Sequence, residues 1–150
     1  MTKERAIVED NNMVGGQRRD IYKAVIEHAD KACQAGFYLE AITLYESLIS
    51  DRLESRIVFL DSSVSAFRSL GENISKLEKL ESDEELKAIL SGQLRNWKNH
   101  RNQSLHELAK IEKYDPRDWD QKVIDLPDIA AEGKALFRLI DACVRRLKKA

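Results

Sequence analysis

The sequence predicts an all-α protein, an antiparallel up-and-down bundle of four to five helices. Three observations carry this prediction. The 150 residues include only 6 glycines and 2 prolines, so few positions break a helix. Apolar residues recur at helical spacing over long segments, whereas no segment alternates between apolar and polar as a strand does. The connections between the periodic segments are short, which favours antiparallel neighbours.

Four segments carry the helical pattern most clearly. The first covers residues 20–35 and is followed by Gly36, a residue suited to the position after a helix end. The second covers 38–59 or beyond, has the longest apolar stripe and is the predicted central helix. A third covers 84–98, and the last begins after Pro127.

Between the second and third of these segments, residues 61–83 have the weakest helical pattern, because they contain several serines and Gly71. Ile74 and Leu80 still mark a short helix there. An acidic cluster follows it, and we expect the cluster to be a solvated face and a helix start instead of a metal site. Its members are Glu78, Glu81, Asp83, Glu84 and Glu85.

Residues 1–17 are polar and show little periodicity, so we expect a flexible N-terminal segment there and a helical bundle over 18–150. The N-terminus lacks the apolar stretch of a signal peptide. No run approaches the roughly 18–20 apolar residues of a membrane span. These features predict a cytoplasmic protein without a membrane partner.

The charges nearly cancel, with 25 Lys and Arg against 26 Asp and Glu, so any nucleic-acid contact must come from a local patch. The basic end of the last helix, 145–149, suits a helix C-terminus, and an RNA-facing role is the alternative. Cys33 and Cys143 are expected to be free thiols in a reducing compartment. We expect no metal and no cofactor, because no cysteine or histidine spacing fits a metal site.

The segment Arg101-Asn102-Gln103-Ser104-Leu105-His106 is where any chemistry is expected. Ser104 to Glu107 matches the S-x-x-E pattern of a capping box, which predicts a helix that starts at Ser104. Arg101 then lies in the preceding turn and His106 in the first helical turn. This break in the helix matters because Arg101 and His106 are five positions apart, and on a continuous helix such positions diverge by about 140°.

With that geometry the segment contains the parts of a metal-free ribonuclease. The positive end of the predicted helix and the Arg101 guanidinium disfavour an imidazolium, so His106 is expected to be neutral and to act as a base for a ribose 2′-OH. Arg101 can stabilise the charge of a pentavalent phosphorane, and Asn102 can orient either group. An acid for the leaving oxygen requires a second Arg/His pair, which a two-fold dimer would supply.

Residues 97–109 resemble the motif of the HEPN superfamily, the higher eukaryote and prokaryote nucleotide-binding domains. These all-helical domains carry R-x(4–6)-H, commonly with a polar residue after the arginine, and the match here is Arg101, Asn102 and His106. Residues 36–49 resemble the long helix that precedes the motif, and the whole resemblance covers 20–148. It implies a metal-independent endoribonuclease in a toxin–antitoxin or antiphage system. The implied partners are RNA, a second copy of the chain, and an antitoxin or regulatory protein.

In such domains a polar residue of the long helix often assists the motif, and Glu46 is the candidate, with Asp51 and Arg52 behind it. Three further residues near the motif are candidates for RNA contacts: Arg95, Lys98 and Trp97. Trp97 also fits a core or dimer-interface position.

Two other functions stay open. Many HEPN-like domains lack catalysis and serve as RNA-binding or protein-interaction modules. Residues 36–45 also resemble the signature of a tetratricopeptide repeat, a peptide-binding scaffold, although only one copy is present.

Overall fold

The computed structural model describes residues 3–7, 13–63 and 66–149. No strand occurs in these ranges, and the all-α prediction is confirmed. The only β pairings among the described residues are two isolated bridges, Glu4 to Ala66 and Glu112 to Asp115. In chain order the elements are α1 Val14–Gln34, α2 Tyr38–Leu60, α3 Leu70–Leu80, α4 Glu84–Ile89, a π-helical turn Leu90–Leu94, α5 Arg95–His106, α6 Trp119–Lys122 and α7 Leu126–Lys149.

The second helix, α2, is the centre of the bundle, as the sequence predicts. It packs against α1, α3 and α7. Seven of its apolar residues are buried, because they recur every three or four residues along one side of the helix. That buried stripe consists of Ala41, Ile42, Tyr45, Leu48, Ile49, Leu53 and Ile57.

The connection between α1 and α2 is tight and turns at Gly36. Gly36 has a φ of 81°, which glycine adopts without steric cost. The Phe37 N–H donates to the Ala32 carbonyl oxygen at 2.8 Å and closes the end of α1. The predicted helix end is therefore confirmed. The hairpin spans Val14–Leu60, longer than the roughly 34 residues of a tetratricopeptide unit.

Trp97 lies where α5 passes α7. Its side chain is 1% exposed, and the indole Nε1–H donates to the Ile129 carbonyl oxygen at 2.8 Å. A Cβ placed on Gly133 would lie 2.7 Å from Trp97 Cζ2, so only a glycine fits there without a shift. The predicted RNA contact of Trp97 is wrong, because a base cannot stack on a ring that the core encloses. The alternative core position is the observed one.

The region with the weakest helical pattern forms α3, and one of its serines begins the helix. Ser69 accepts a hydrogen bond from the Glu72 N–H, and the Glu72 side chain accepts one from the Ser69 N–H. This is a complete capping box. Asp83 caps α4 in turn, by accepting from the Leu86 N–H.

One member of the acidic cluster is not solvated. The Glu81 side chain is 0% exposed and accepts hydrogen bonds from Arg56 Nε at 2.6 Å and Nη2 at 2.9 Å. Burial would raise the pKa of Glu81, but the hydrogen bonds from Arg56 and from the Asp83 and Ser82 N–H groups outweigh it, and the pKa lies below its ordinary value. The prediction of a wholly solvated face is wrong at this residue.

The N-terminal segment also differs from the expectation. The first helix begins at Val14, and Arg5 is 5% exposed. The Arg5 guanidinium hydrogen-bonds both carboxylate oxygens of Asp51 and lies 3.7 Å from Glu54 Oε2. Residues 3–7 and 13–17 therefore belong to the bundle, because two carboxylates of α2 need a cation. Residues 8–12 of the predicted flexible segment lie outside the described part.

No helix of the described residues is long and apolar enough to cross a membrane.

Candidate functional site

The helix predicted to start at Ser104 does not start there. From Glu84 to His106 the chain is one uninterrupted helical rod, with a single π turn inside it. The Glu107 N–H still donates to the Gln103 carbonyl oxygen at 3.2 Å. Ser104 therefore lies inside the helix, and its side chain caps nothing. His106 is the last residue of α5, at the carbonyl end, where the helix dipole is negative. Arg101 and His106 therefore do not converge across a helix break, as the sequence had led us to expect.

Four of the predicted site residues share one side of α5. At about 100° per residue, Arg95, Lys98, Asn102 and His106 fall within about 80° of each other around the axis. They cover about 16 Å of helix length. None of the four is buried, and His106 is exposed. We call these four residues the α5 stripe.

Arg101 points away from the α5 stripe, towards α2. It lies about 140° around the helix from His106. Its guanidinium meets Glu46 end on, with Nη1 2.7 Å from Oε2 and Nη2 donating to Oε1 at 2.8 Å. The Arg101 and Glu46 side chains are 16% and 24% exposed. The sequence-predicted association of Glu46 with the motif is thus observed as a contact, of the strong bidentate kind.

One donor of Arg101 remains unused. Its Nε is buried and has no hydrogen-bond partner among the described residues. A buried donor without a partner costs free energy, of the order of 1–3 kcal/mol. The pair with Glu46 therefore fixes the position of the guanidinium but leaves one of its hydrogen-bond donors, Nε, without a partner among the described residues.

Asp51 and Arg52 do not join Arg101. They are five and six residues beyond Glu46 and so face other sides of α2. Asp51 accepts hydrogen bonds from Arg5 and from the Tyr22 hydroxyl. Arg52 Nε donates to the same Tyr22 oxygen at 2.9 Å. Their predicted role in supporting the motif is wrong, because they belong to a separate polar cluster between α1, α2 and α7.

That cluster alters the titration of its members. Burial raises the pKa of the Tyr22 hydroxyl, and the charge of Asp51 raises it further. Burial acts against ionised Asp51, but hydrogen bonds from Arg5 and Tyr22 outweigh it and lower the pKa of Asp51. No motif in the sequence singles out Tyr22, which is 7% exposed, whereas neighbouring Ile21 is 60% exposed.

The two cations of the α5 stripe differ in how far they are neutralised. Arg95 Nη2 donates to both carboxylate oxygens of Glu78 on α3, at 3.0 and 2.9 Å. Lys98 lies against the start of α3, where a Cβ on Gly71 would be 3.5 Å from its Nζ. Lys98 has no ion pair with any described residue. It is therefore the stripe's free cation within the described part of the chain.

The chain beyond α5 folds back over the end of that helix. Lys122 of α6 donates through Nζ to the carbonyl oxygens of Glu107 and Lys110. A cation suits this position because the last carbonyls of a helix have no backbone partner. His100 is exposed, and its Nε2 is 3.8 Å from Asp125 Oδ2. The sequence held no signal for Lys122, which is 12 residues beyond its nearer acceptor and 15 beyond the other.

No group of three or more His, Cys, Asp or Glu side chains that could hold a metal ion occurs among the described residues. Cys33 and Cys143 are both free. Comparisons with family models, with curated proteins and with solved structures each give no match. The likeness to HEPN domains therefore rests on the residues quoted above.

Proposed function

We propose that the chain is a metal-independent endoribonuclease of the HEPN type that works as a homodimer in the cytoplasm, in a toxin–antitoxin or antiphage setting. The observation that supports it is the end-on pair between Arg101 and Glu46. This pair fixes a guanidinium on the helix that also carries Asn102 and His106. An immobilised guanidinium, with an exposed imidazole on the same helix, suits a phosphate whose charge grows during the reaction.

The proposed chemistry is an internal transfer. His106 takes the proton of a ribose 2′-OH, and the oxygen attacks the adjacent phosphorus. Arg101 stabilises the extra negative charge of the phosphorane. The bond to the 5′-oxygen then breaks, and that oxygen takes a proton from a second imidazole. The products are a 2′,3′-cyclic phosphate end and a 5′-hydroxyl end, with no water or metal consumed.

The divergence of Arg101 and His106 favours a site shared between two copies. Within one chain the two residues lie about 140° apart around α5. A two-fold axis beside α5 would place Arg101 of one copy near His106 of the other. In such an interface the same contact occurs twice, once in each direction between the two copies. It would also supply the second imidazole.

The experiment is an RNA cleavage assay with purified protein, single-stranded RNA and excess EDTA. Wild-type protein should leave cyclic-phosphate ends. His106→Ala and Arg101→Ala should each lower the rate by about 100-fold or more, the usual contribution of a general base or of an oxyanion-stabilising group. His100→Ala is the matched control, because His100 is exposed on the same helix outside the α5 stripe. It should cleave at the wild-type rate.

Three results would contradict the nuclease proposal. These are a broad RNA panel left intact by wild-type protein, cleavage that both variants retain, and a protein that stays monomeric at the assay concentration in sedimentation. Circular dichroism melting curves should show that each variant is folded, so that a loss of rate is not a loss of structure.

One observation favours a second function, a non-catalytic HEPN-like module that binds RNA or protein. Glu46 neutralises Arg101 with both oxygens, which weakens its attraction for phosphate. A wild-type protein that binds RNA without cleaving it would support this second function. In that case Lys98→Gln, which removes the free cation of the α5 stripe, should weaken RNA binding.

A further inference from the structure

Residues 3–7 lie along α2 as a short segment, which we call the N-terminal arm. Glu4 of the arm pairs antiparallel with Ala66, and the Phe67 N–H donates to the Lys3 carbonyl oxygen at 2.9 Å. An extended peptide adds to an exposed edge of another chain by main-chain pairing of this kind. The arm is therefore held as a bound peptide would be, although it belongs to the same chain.

One side chain anchors the arm. Arg5 is the only buried residue among these five and is 5% exposed. Its guanidinium hydrogen-bonds both carboxylate oxygens of Asp51, and its Nη1 lies 3.7 Å from Glu54 Oε2. Asp51 and Glu54 are three residues apart and so share one face of α2. A planar guanidinium can meet both carboxylates at once, whereas the ammonium group of a lysine is a single point of charge.

The two carboxylates are held in place without the arm. Glu54 Oε1 accepts hydrogen bonds from Asn73 Nδ2 at 3.1 Å and from the Arg68 N–H at 3.3 Å, which leaves Oε2 to face the arm. Asp51 accepts a hydrogen bond from the Tyr22 hydroxyl. Groups that are ordered in advance bind a ligand at a smaller cost in entropy. The groove thus contains a preformed site for a guanidinium group.

The arm fills this groove only in part. A cavity of about 720 Å³ is lined by Arg5 and Ile7, and another of about 300 Å³ is lined by Ala6. Phe59 lines the larger cavity and is 55% exposed, and Ile21 lines the smaller one and is 60% exposed. Apolar side chains left uncovered beside a buried anchor are typical of surfaces that bind another protein. A segment with larger apolar side chains than those of the arm would cover more of this surface.

We propose that this groove is a docking site for an extended segment of a partner protein in which an arginine is followed by two bulky apolar residues. The arginine takes the place of Arg5 between the two carboxylates. The first apolar residue enters the cavity that the small side chain of Ala6 leaves open, and the second takes the place of Ile7 in the larger cavity. The partner displaces the N-terminal arm, because both need the same carboxylates. The proposal is independent of the nuclease function.

The test is a fluorescence polarisation titration of the labelled peptide Lys-Glu-Arg-Leu-Ile with the full chain. The peptide copies residues 3–7 except for the change Ala6→Leu. The protein is the Arg5→Ala variant, whose own arm lacks the anchor, and we expect a dissociation constant of about 0.1 mM or tighter. Wild-type protein should bind the peptide about tenfold more weakly or worse, because its tethered arm competes at a high effective concentration.

Two changes to the peptide test what the groove recognises. Replacing its arginine by lysine keeps the charge and should weaken binding by about tenfold or more, since the bidentate contact is lost. Restoring alanine at the position of Ala6 should weaken binding by about threefold or more, since less apolar surface is buried. Both comparisons use one and the same protein, so neither depends on the folding of a further variant.

A change to the protein tests where the peptide binds. Added to Arg5→Ala, Glu54→Gln should weaken binding by about fivefold or more, because one of the two charges that face the guanidinium is removed. Glu27→Gln in the same background is the matched control, since Glu27 is an exposed carboxylate of α1 that lines neither cavity. It should bind within about twofold of Arg5→Ala itself.

The proposal fails if the peptide does not bind at about 1 mM protein, or if either changed peptide binds as tightly as the original one. It also fails if wild-type protein binds as tightly as Arg5→Ala, or if Glu27→Gln costs as much affinity as Glu54→Gln. Should Arg5→Ala unfold, the arginine and lysine peptides are compared on wild-type protein at higher concentration. Equal binding of the two peptides there overturns the proposal.

Discussion

Gly133 is the residue at which α7 comes closest to α5, and it tolerates no side chain. An added Cβ would lie 2.7 Å from Trp97 Cζ2 and 3.3 Å from Tyr45 Cβ. Trp97 cannot retreat easily, because it is buried and its Nε1 hydrogen-bonds Ile129. We expect Gly133→Ala to lower the free energy of unfolding by about 1–3 kcal/mol, the usual cost of overpacking.

Urea unfolding followed by circular dichroism measures that loss. Gly16→Ala is the control, since Gly16 is also helical and nothing lies within 4 Å of an added Cβ there. It should be neutral or stabilising, because alanine has the higher helix propensity. A Gly133→Ala protein as stable as wild type would mean that α5 and α7 are not packed this closely.

Single residues also show what the sequence could and could not predict. The core position of Trp97 and the contact of Glu46 with the motif follow from helical spacing and from the resemblance. The buried ion pairs do not, because their partners are remote in sequence. Arg56 and Glu81 are 25 residues apart, and Arg5 and Asp51 are 46 apart. No local sequence pattern predicts such a pairing.

Helix starts show the same limit at the level of elements. The S-x-x-E pattern occurs at both Ser69 and Ser104, but only Ser69 caps a helix. A cap forms where the chain is already outside helical geometry. Residues 67–69 are non-helical, whereas the residues before Ser104 are helical. No glycine or proline lies between Arg95 and Ser104 to break the helix. The pattern alone is therefore not sufficient for a capping box.

The two serines provide a direct comparison. Ser69→Ala should lower the free energy of unfolding by about 1 kcal/mol, the typical value of an N-cap. Ser104→Ala should leave it unchanged or raise it slightly, because alanine is the better residue inside a helix. Chemical denaturation of both variants measures the difference. The reverse order of stabilities would place the helix start at Ser104, as the sequence alone suggests.

The stability of the whole bundle should depend on pH on the acid side. The pKa values of Asp51 and Glu81 are lowered in the folded protein, chiefly because arginine hydrogen bonds overcome the effect of burial. The unfolded chain then binds protons more readily than the folded chain. Stability is complete above the ordinary carboxyl range, near pH 4, and is lost as the pH falls through the lowered values.

Urea unfolding between pH 7 and pH 3 tests this dependence. The free energy of unfolding should stay level down to about pH 5 and decline below about pH 4. Glu81→Gln should be less stable at neutral pH, since Arg56 loses its buried partner, and should show a shallower acid decline. An equally steep decline in that variant would assign the acid sensitivity to other carboxylates.

The π turn at Leu90–Leu94 bears on how this chain is compared with others. A π turn contains one residue more than an α-helical turn, so it holds an insertion without moving the rod on either side of it. A homologue with one residue fewer in this stretch would have a plain α-helix with the same core and the same α5 stripe. A one-position gap there therefore marks structural equivalence, and an ungapped alignment across the turn would set every residue from Arg95 to His106 one place out of register.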